Sequence, residues 1–339
     1  MYDFVNKYLI CLLCLSALMT ACRNKEPALP DTDTIVYHHD TSPDSLSVRG
    51  LLSVQAARAM TEGDTAVILF EISKPDEYVA GHLPGAYHLW RPDYTTDENP
   101  DFGGMRGTAV EVADLLGRKG VASTDTVLLY DTKGGSNALR LAWILDMYGH
   151  PHTRIINGGK TAWKCAGYPL TEEVPPPRPP VGYAFPTEPN LSQSVNLREV
   201  KAAIGDTGVV LLDVREREEY AGLPVRQGAD TVLWKKGAFA GGCIPGAVHL
   251  NWSEAVDLHG DHRFKSLKDL RYNFNRVGVT PDKDIIVYCH SGVRSAHTTY
   301  VLREILGYPC VRNYDGSWIE WSHRFVHFGD TEIEQIESK

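Results

Sequence analysis

The stretch Ile285-Ile-Val-Tyr-Cys-His-Ser-Gly-Val-Arg-Ser295 carries the most informative pattern in the chain. Its first four residues are apolar and mostly β-branched or aromatic, which is typical of a short buried strand. Helical spacing follows from Ser295 to Leu306, and Gly307 stands where a helix C-cap is expected. The stretch therefore predicts a strand, a short loop and a helix, with Cys289 at the carboxyl end of the strand.

The same pattern occurs earlier in the chain. Val127-Leu-Leu-Tyr-Asp131 matches Ile285-Ile-Val-Tyr-Cys289, and Trp163 matches Trp321 at the same offset. The second copy carries extra residues, which we place in a loop around Val225–Gly242. Each copy alternates apolar runs with helical ones, and this alternation predicts a parallel sheet covered by helices on both faces. Ligands of such α/β sheets bind at the carboxyl ends of the strands.

Length and composition agree with two soluble domains. The chain has 339 residues, with 43% hydrophobic and 23% charged residues. The Pro-rich run Pro175–Pro180 separates the two copies. We expect a first domain over 48–172, a linker over 173–191 and a second domain over 192–330. The net charge of −9 and the lack of a Lys/Arg cluster argue against a nucleic-acid partner.

The N-terminus has a different character. An apolar run, Tyr8–Met19, follows Lys7 and is too short to span a bilayer, but it suits a signal peptide. It ends at Met19-Thr-Ala-Cys22, which resembles a bacterial lipobox. The resemblance implies a signal peptide over 1–21, a lipid on Cys22, a flexible tether over 22–47 and an extracytoplasmic, membrane-anchored protein in the periplasm or at the outer membrane face. Plain secretion, with an incidental Cys22, is the alternative.

Four cysteines fall in the two predicted domains: Cys165, Cys243, Cys289 and Cys310. Export would permit disulfides, and at most one pair can form once a catalytic thiol is left free. Cys243 stands where the first copy has His82. We expect a small, partly buried residue at Cys243; the alternative is a resolving thiol or a second sulfur-carrying thiol.

Cys289 is the candidate nucleophile. At the N-terminus of a helix its sulfur faces backbone N–H groups and the positive end of the helix dipole. Such a position lowers a cysteine pKa from ~8.5 to a value of ~3.5–7.5. Gly292 permits a backbone angle that other residues resist, and Arg294 adds a fixed positive charge. The alternative is a buried, inert thiol.

Four segments together resemble the rhodanese family, and most closely its two-domain thiosulfate and 3-mercaptopyruvate sulfurtransferases. They are the loop from Cys289 to Ser295, Asp213–Tyr220, Ile244–Ala247 and Tyr314–Trp321. The resemblance covers residues 50–325. It implies two tandem α/β domains, each a five-stranded parallel sheet with helices on both faces, and a catalytic cysteine in the second domain near the domain interface.

The resemblance also implies the chemistry. Cys289 would take the outer sulfur of thiosulfate or a related small-molecule donor as a persulfide and pass it to cyanide or a thiol, with no metal or organic cofactor. Asp131 occupies the equivalent position in the first domain, which is therefore expected to be catalytically silent. The residues expected to bind substrate are those of the loop: His290, Ser291, Gly292, Val293 and Arg294.

Some positions depart from the two-domain pattern. Glu219 stands where those enzymes carry a substrate-binding Arg, Ser291 where thiosulfate enzymes often have Lys, and Arg294 where both end the loop with Thr. We expect thiosulfate to be preferred over 3-mercaptopyruvate, because Glu219 would repel a carboxylate and the Arg294 fork would bind the donor oxygens. Arg215 is expected to form a structural ion pair rather than to bind substrate, and the role of His290 is left open.

Two other functions remain open at this point. A cysteine-based phosphatase needs five residues between its Cys and Arg, whereas only four separate Cys289 from Arg294. A sulfur carrier of the cell envelope would hold sulfur for a protein partner without turning over small donors.

Overall fold

The computed structural model describes residues 48, 50–63, 66–96 and 102–334. The predicted signal peptide and the whole predicted tether, including Cys22, lie outside these residues. None of the helices within the described ranges is both long and apolar enough to cross a membrane.

The first domain contains a five-stranded parallel sheet in the order β1-β7-β6-β2-β3 and a small antiparallel pair, β4-β5. Its strands are β1 Leu51–Leu52, β2 Val67–Ile72, β3 Tyr87–Leu89, β4 Thr95–Thr96, β5 Met105–Arg106, β6 Thr126–Tyr130 and β7 Thr153–Ile156. Its helices are α1 Val54–Gly63, α2 Pro75–Val79, α3 Ala109–Arg118, α4 Ser136–Met147 and α5 Gly159–Cys165. Successive residues of β2 face different clusters, with Leu69 in one and Phe70 in the other. Both faces of the sheet are therefore covered.

The second domain repeats this architecture, with a five-stranded parallel sheet in the order β12-β9-β13-β14-β8. Its strands are β8 Ser194–Val195, β9 Val209–Asp213, β10 Val225–Gln227, β11 Asp230–Val232, β12 Val248–His249, β13 Asp284–Tyr288 and β14 Val311–Tyr314. Its helices are α6 Leu197–Ala203, α7 Arg217–Ala221, α8 Leu267–Asn275, α9 Val293–Tyr300 and α10 Ser317–Phe328. The predicted α/β fold with two five-stranded parallel sheets is confirmed.

Local sequence signals position several of these helices. Thr108 and Glu111 form a reciprocal capping box at the start of α3, and Asn196 and Glu199 form another at the start of α6. The extra residues of the second copy form the antiparallel hairpin β10-β11. That insertion contacts the active-site loop, as described below.

The Pro-rich segment is docked on the first domain. The Val181 amide donates to the Gly117 carbonyl at 3.0 Å, and the Arg178 Nε donates to the Gly120 carbonyl at 3.0 Å. A Cβ at Gly117 would lie 2.7 Å from the Val181 carbonyl oxygen, so this close approach needs glycine. The segment thus follows the surface of the first domain before the second domain begins.

The two domains share one hydrophobic core through α4 and α9, which pack against each other. Leu139 and Leu141 of α4 lie in the same buried cluster as Ala296 of α9 and Val301 just beyond it. The helix that follows Cys289 is therefore supported by its counterpart from the first domain.

Candidate active site

Cys289 lies between β13 and α9, with only 1% of its surface exposed. Gly292 is the N-cap of α9 and has a φ of 81°, in the region that favours glycine. A Cβ at Gly292 would lie 2.7 Å from both the Arg140 Nη1 and the Asp315 Oδ1 atoms. Glycine is thus required at this position both by the backbone angle and by space.

Ser317 binds the backbone of the loop that contains Cys289. Its Oγ accepts hydrogen bonds from the amides of Cys289, at 3.2 Å, and Gly292, at 3.1 Å, and donates to the Tyr314 carbonyl at 2.7 Å. Ser317 has a φ of 52°, which is unusual for a residue with a side chain. The repeat aligns it with Gly159, which has the same φ. In the second domain, a serine thus adopts a backbone conformation that favours glycine, and its hydroxyl binds two loop amides.

The surroundings of Cys289 favour its thiolate. Burial alone would raise the pKa of Cys289, but the Arg294 charge and hydrogen bonds from the Ser295 hydroxyl and the Ser295 and Ser291 amides outweigh it, so the pKa is lowered. The Ser295 Oγ lies 3.5 Å from the sulfur. This is the environment of a nucleophilic cysteine rather than an inert one.

Arg294 is engaged by a carboxylate. Its Nη1 and Nη2 atoms donate to the two oxygens of Glu219 at 2.7 Å and 2.9 Å. Lys235 of the inserted segment also binds Glu219, at 2.7 Å. Burial opposes ionisation of Glu219, yet these cations hold its pKa well below the usual range.

This pairing changes the charge argument made from the sequence. Glu219 does not present a free negative charge, because Arg294 and Lys235 neutralise it. Both Nη atoms of Arg294 are likewise hydrogen-bonded to Glu219. Donor binding by Arg294 stays a prediction, and it would require Arg294 to share its donors with Glu219.

The remaining loop residues have distinct surroundings. The Nε2 atom of His290 lies 3.0 Å from the carbonyl of Lys236 in the inserted segment, and burial lowers the pKa of His290 to about 4. Ser291 faces the first domain, since a Cβ at Gly104 would lie 3.5 Å from its Cβ. Val293 is buried. His290 is thus a neutral ring under the insertion at neutral pH, and Ser291 is at the domain interface.

In the first domain, the carboxylate of Asp131 occupies the corresponding loop. It accepts hydrogen bonds from four backbone amides, at distances of 2.7 to 3.3 Å: Lys133, Gly135, Asn137 and Ala138. Burial raises the pKa of Asp131, and these hydrogen bonds, which lower it, offset only part of that effect. The loop backbone of this fold therefore binds an anionic group, and in the first domain that group is part of the protein.

Two arginines of the first domain reach the second domain beside Gly292. Arg140 pairs with Asp315 at 2.5 Å and donates to the Gly292 carbonyl at 3.3 Å, and Arg106 pairs with Asp315 at 2.9 Å. Burial opposes ionisation of Asp315, but these cations lower its pKa. The active-site loop is therefore braced by the first domain.

Arg91 is a further cation from the first domain near the thiol. Burial lowers the pKa of Arg91, and the negative charge of Cys289 raises it in part. Its Nε and Nη2 atoms donate to the Asn137 Oδ1 atom at 3.2 Å and 2.8 Å. Arg91, Arg140 and Ser317 were not predicted from the sequence. Of these three, only Ser317 has a signal in the sequence, because the repeat aligns this serine with Gly159.

Arg215 forms a structural ion pair, as the sequence predicts, and its partner is Asp213. The pair is buried at 2.6 Å, Arg215 also donates to the Gly242 carbonyl, and its guanidinium lies 4.4 Å from the Trp318 ring centroid. Cys243 is completely buried, and burial raises its pKa to about 12. An unreactive thiol fits this setting.

No disulfide forms among the described cysteines, which are all free: Cys165, Cys243, Cys289 and Cys310. Within the same described ranges, no group of three or more His, Cys, Asp and Glu residues is arranged to hold a metal ion.

The fold and site define a class of protein: two equivalent α/β domains, the second with a buried cysteine of lowered pKa at the start of a helix. The sequence profile of the Rhodanese-like domain matches residues 53–166 and 196–324. The chain belongs to the rhodanese family, as the sequence predicts.

Known proteins cover most of the chain. The chain is 37% identical to the sulfur carrier protein TtuD of Thermus thermophilus, over 73% of this chain and 84% of that protein. It is 38% identical to a thiosulfate sulfurtransferase of Corynebacterium glutamicum, over 73% of this chain and 78% of that protein. A structure of EanB with ergothioneine shares the fold, with a TM-score of 0.71 and 24% identity over 86% of this chain and 71% of that chain.

Proposed function

We propose that Cys289 is the residue that carries sulfur in this sulfurtransferase, with thiosulfate as the donor. The observation that carries the proposal is the position of a buried thiol between β13 and α9, where Arg294, Ser295 and the loop amides lower its pKa against the effect of burial. The sulfurtransferase class itself agrees with the sequence prediction, since several relatives are named thiosulfate sulfurtransferases.

The reaction needs two displacements at sulfur. The Cys289 thiolate attacks the outer sulfur of thiosulfate, the S–S bond of the donor breaks, and sulfite leaves with the bonding electrons. Cyanide or a thiolate then attacks the outer sulfur of the persulfide, and the Cys289 thiolate leaves. The loop amides that lower the pKa of Cys289 stabilise the negative sulfur at the start and end of the cycle.

The first domain supports this chemistry without performing it. Asp131 offers a carboxylate where Cys289 offers a thiol, and its oxygens are already bound by four amides. We infer that the first domain is catalytically silent and that it braces the loop through Arg140.

Steady-state thiocyanate formation from thiosulfate and cyanide tests this assignment. Cys289→Ser should abolish turnover, and Cys243→Ser should leave it nearly unchanged, because Cys243 is buried with a raised pKa. Substantial activity in Cys289→Ser would overturn the assignment. A single turnover in the wild type, with no steady state, would favour the sulfur-carrier alternative suggested by one relative's name.

We further propose that the mature chain is anchored to a membrane outside the cytoplasm by a lipid on Cys22. The support is the apolar run Tyr8–Met19, with a small residue directly before Cys22. Expression of the full chain beside Cys22→Ala in a lipoprotein-competent bacterium tests this. Wild type should fractionate with membranes and Cys22→Ala should not. Wild type in the soluble fraction with an unmodified N-terminus would contradict the proposal.

A further inference from the structure

Arg91 is held in place by neighbours in the first domain. It begins a short 3₁₀ helix, Arg91–Asp93, directly after β3, and its guanidinium lies 5.0 Å from the ring centroid of Trp90. Two of its nitrogens donate to one oxygen of Asn137, the second residue of α4. The Nε and Nη2 atoms are therefore bound by a neutral amide, and among the described residues no hydrogen-bond partner is found for Nη1.

Asn137 ties Arg91 to the helix pair that joins the two domains. Asn137 lies in the first turn of α4, the helix that packs against α9. In the next residues of α4, Arg140 contacts the carbonyl of Gly292 in the active-site loop. Burial lowers the pKa of Arg91, and the charge of Cys289 opposes this effect in part, which agrees with this placement.

The other arginines around the loop are paired with carboxylates: Arg294 with Glu219, Arg106 and Arg140 with Asp315, and Arg215 with Asp213. For Arg91, by contrast, no ion pair with a carboxylate is found in the part of the chain that the structure describes. Arg91 is thus the arginine of this group that forms no ion pair with a described carboxylate. An unneutralised, partly buried guanidinium is a binding group for an oxyanion.

We propose that Arg91 binds the sulfonate-like oxygens of the anionic donor, so that the first domain supplies the anion-binding group of an active site whose cysteine belongs to the second. The inference rests on the proposed function of Cys289. It predicts that the donor is an anion with several oxygens, which bind next to Arg91. When the S–S bond of thiosulfate breaks, negative charge moves onto the departing sulfite, and the same guanidinium stabilises it.

This role explains what the loop at Asp131 in the first domain contributes to donor binding. The Asp131 carboxylate accepts a 2.7 Å hydrogen bond from the Asn137 amide and so fixes the first turn of α4. The Asn137 side chain in turn fixes Arg91. Asp131 and Asn137 are positioning residues, and Arg91 is the residue that contacts the donor.

Alkylation of Cys289 by two reagents separates this role from a general effect on the thiol. Iodoacetate is anionic and iodoacetamide is neutral, and both react with the thiolate. Arg91→Gln should slow iodoacetate by roughly tenfold relative to iodoacetamide, the loss expected for one hydrogen bond to a charged group. Arg91→Lys should recover part of the iodoacetate rate, and Arg198→Gln, which removes an exposed arginine on α6, should leave the ratio of the two rates unchanged.

The thiosulfate kinetics of the same variants complete the test. Arg91→Gln should raise KM for thiosulfate and lower kcat/KM, with Arg198→Gln as the matched control. An unchanged ratio of iodoacetate to iodoacetamide rates in Arg91→Gln would overturn the inference, whatever the turnover. If that ratio falls while the wild type fails to turn over thiosulfate, the anion site stands and the proposed function fails.

Discussion

Arg140 of the first domain and Asp315 of the second form a 2.5 Å ion pair, and both side chains are almost completely buried. The same Arg140 donates to the carbonyl of Gly292, directly in the active-site loop. The pair therefore joins domain association to the geometry around Cys289. This gives the domain without a nucleophile a physical role in the reaction.

Loss of the Arg140 side chain should destabilise the fold. Arg140→Met leaves Asp315 buried with only Arg106 as its charged partner, and we expect a loss of about 3 kcal/mol in the free energy of unfolding. Urea denaturation measures this. The matched control is Arg118→Met, which breaks an exposed pair with Asp114 and should cost little. Equal costs for the two variants would contradict the bracing role of Arg140.

The same pair predicts a pH dependence of stability. The folded protein lowers the pKa of Asp315, so its contribution is fully present above the usual aspartate pKa of ~3.9 and is lost as pH falls through the lower folded value. Denaturation between neutral and strongly acidic pH should show a falling free energy of unfolding in the wild type. Asp315→Asn should show a shallower fall, and an identical slope in both proteins would be inconsistent with the paired carboxylate.

Thiol reactivity should separate the two buried cysteines. The pKa of Cys289 is lowered and that of Cys243 is raised to about 12, so Cys289 has the larger thiolate fraction of these two residues. Peptide mapping after brief iodoacetamide treatment should find Cys289 modified and Cys243 intact. The exposed Cys165 and Cys310 serve as internal references for reagent access. Faster labelling of Cys243 than of Cys289 would reverse the assignment of the nucleophile.

The pair between Glu219 and Arg294 should limit anion binding at the loop. Glu219→Gln leaves Arg294 with only Glu216, at 3.8 Å, as an acidic partner. We expect KM for thiosulfate to fall by about threefold to tenfold as the guanidinium becomes available. Glu218→Gln, an exposed change on the same helix, is the control. A higher KM in Glu219→Gln would show that Glu219 aids binding.

The preference for one sulfur donor over the other stays a prediction, but the physical reason for it changes. Wild type is still expected to prefer thiosulfate over 3-mercaptopyruvate in kcat/KM, but repulsion by Glu219 is no longer the reason, because its charge is compensated. The expected reason is Arg91, whose fixed position suits a compact oxyanion. A preference for 3-mercaptopyruvate would show that another cation binds the carboxylate.

The repeat within the sequence predicted the fold because both copies carry the same strand and helix periods. It also predicted the glycines at helix ends: Gly149 and Gly307 have φ angles of 87° and 74°. The helix predicted up to Leu306 instead changes at Val301 into a π-helical turn, Val301–Ile305. Apolar spacing alone does not distinguish these two backbone patterns.

The site was predicted less completely, because its electrostatics arise from residues distant in the chain. The position of Cys289 follows from a local strand, loop and helix. The pairing of Glu219 with Arg294 and the approach of Arg91 depend on how two sheets and two domains come together. A single sequence shows the charges of these residues but not which of them become partners.

The most direct measurement of the central claim is the mass of the chain after thiosulfate treatment and removal of the donor. Peptide mass spectrometry should find one added sulfur atom on the peptide that contains Cys289, and cyanide should remove it with formation of thiocyanate. Cys289→Ser should gain no sulfur. Added sulfur on the Cys243 peptide, or an unmodified wild type that still turns over thiosulfate, would contradict the assignment of Cys289 as the sulfur carrier.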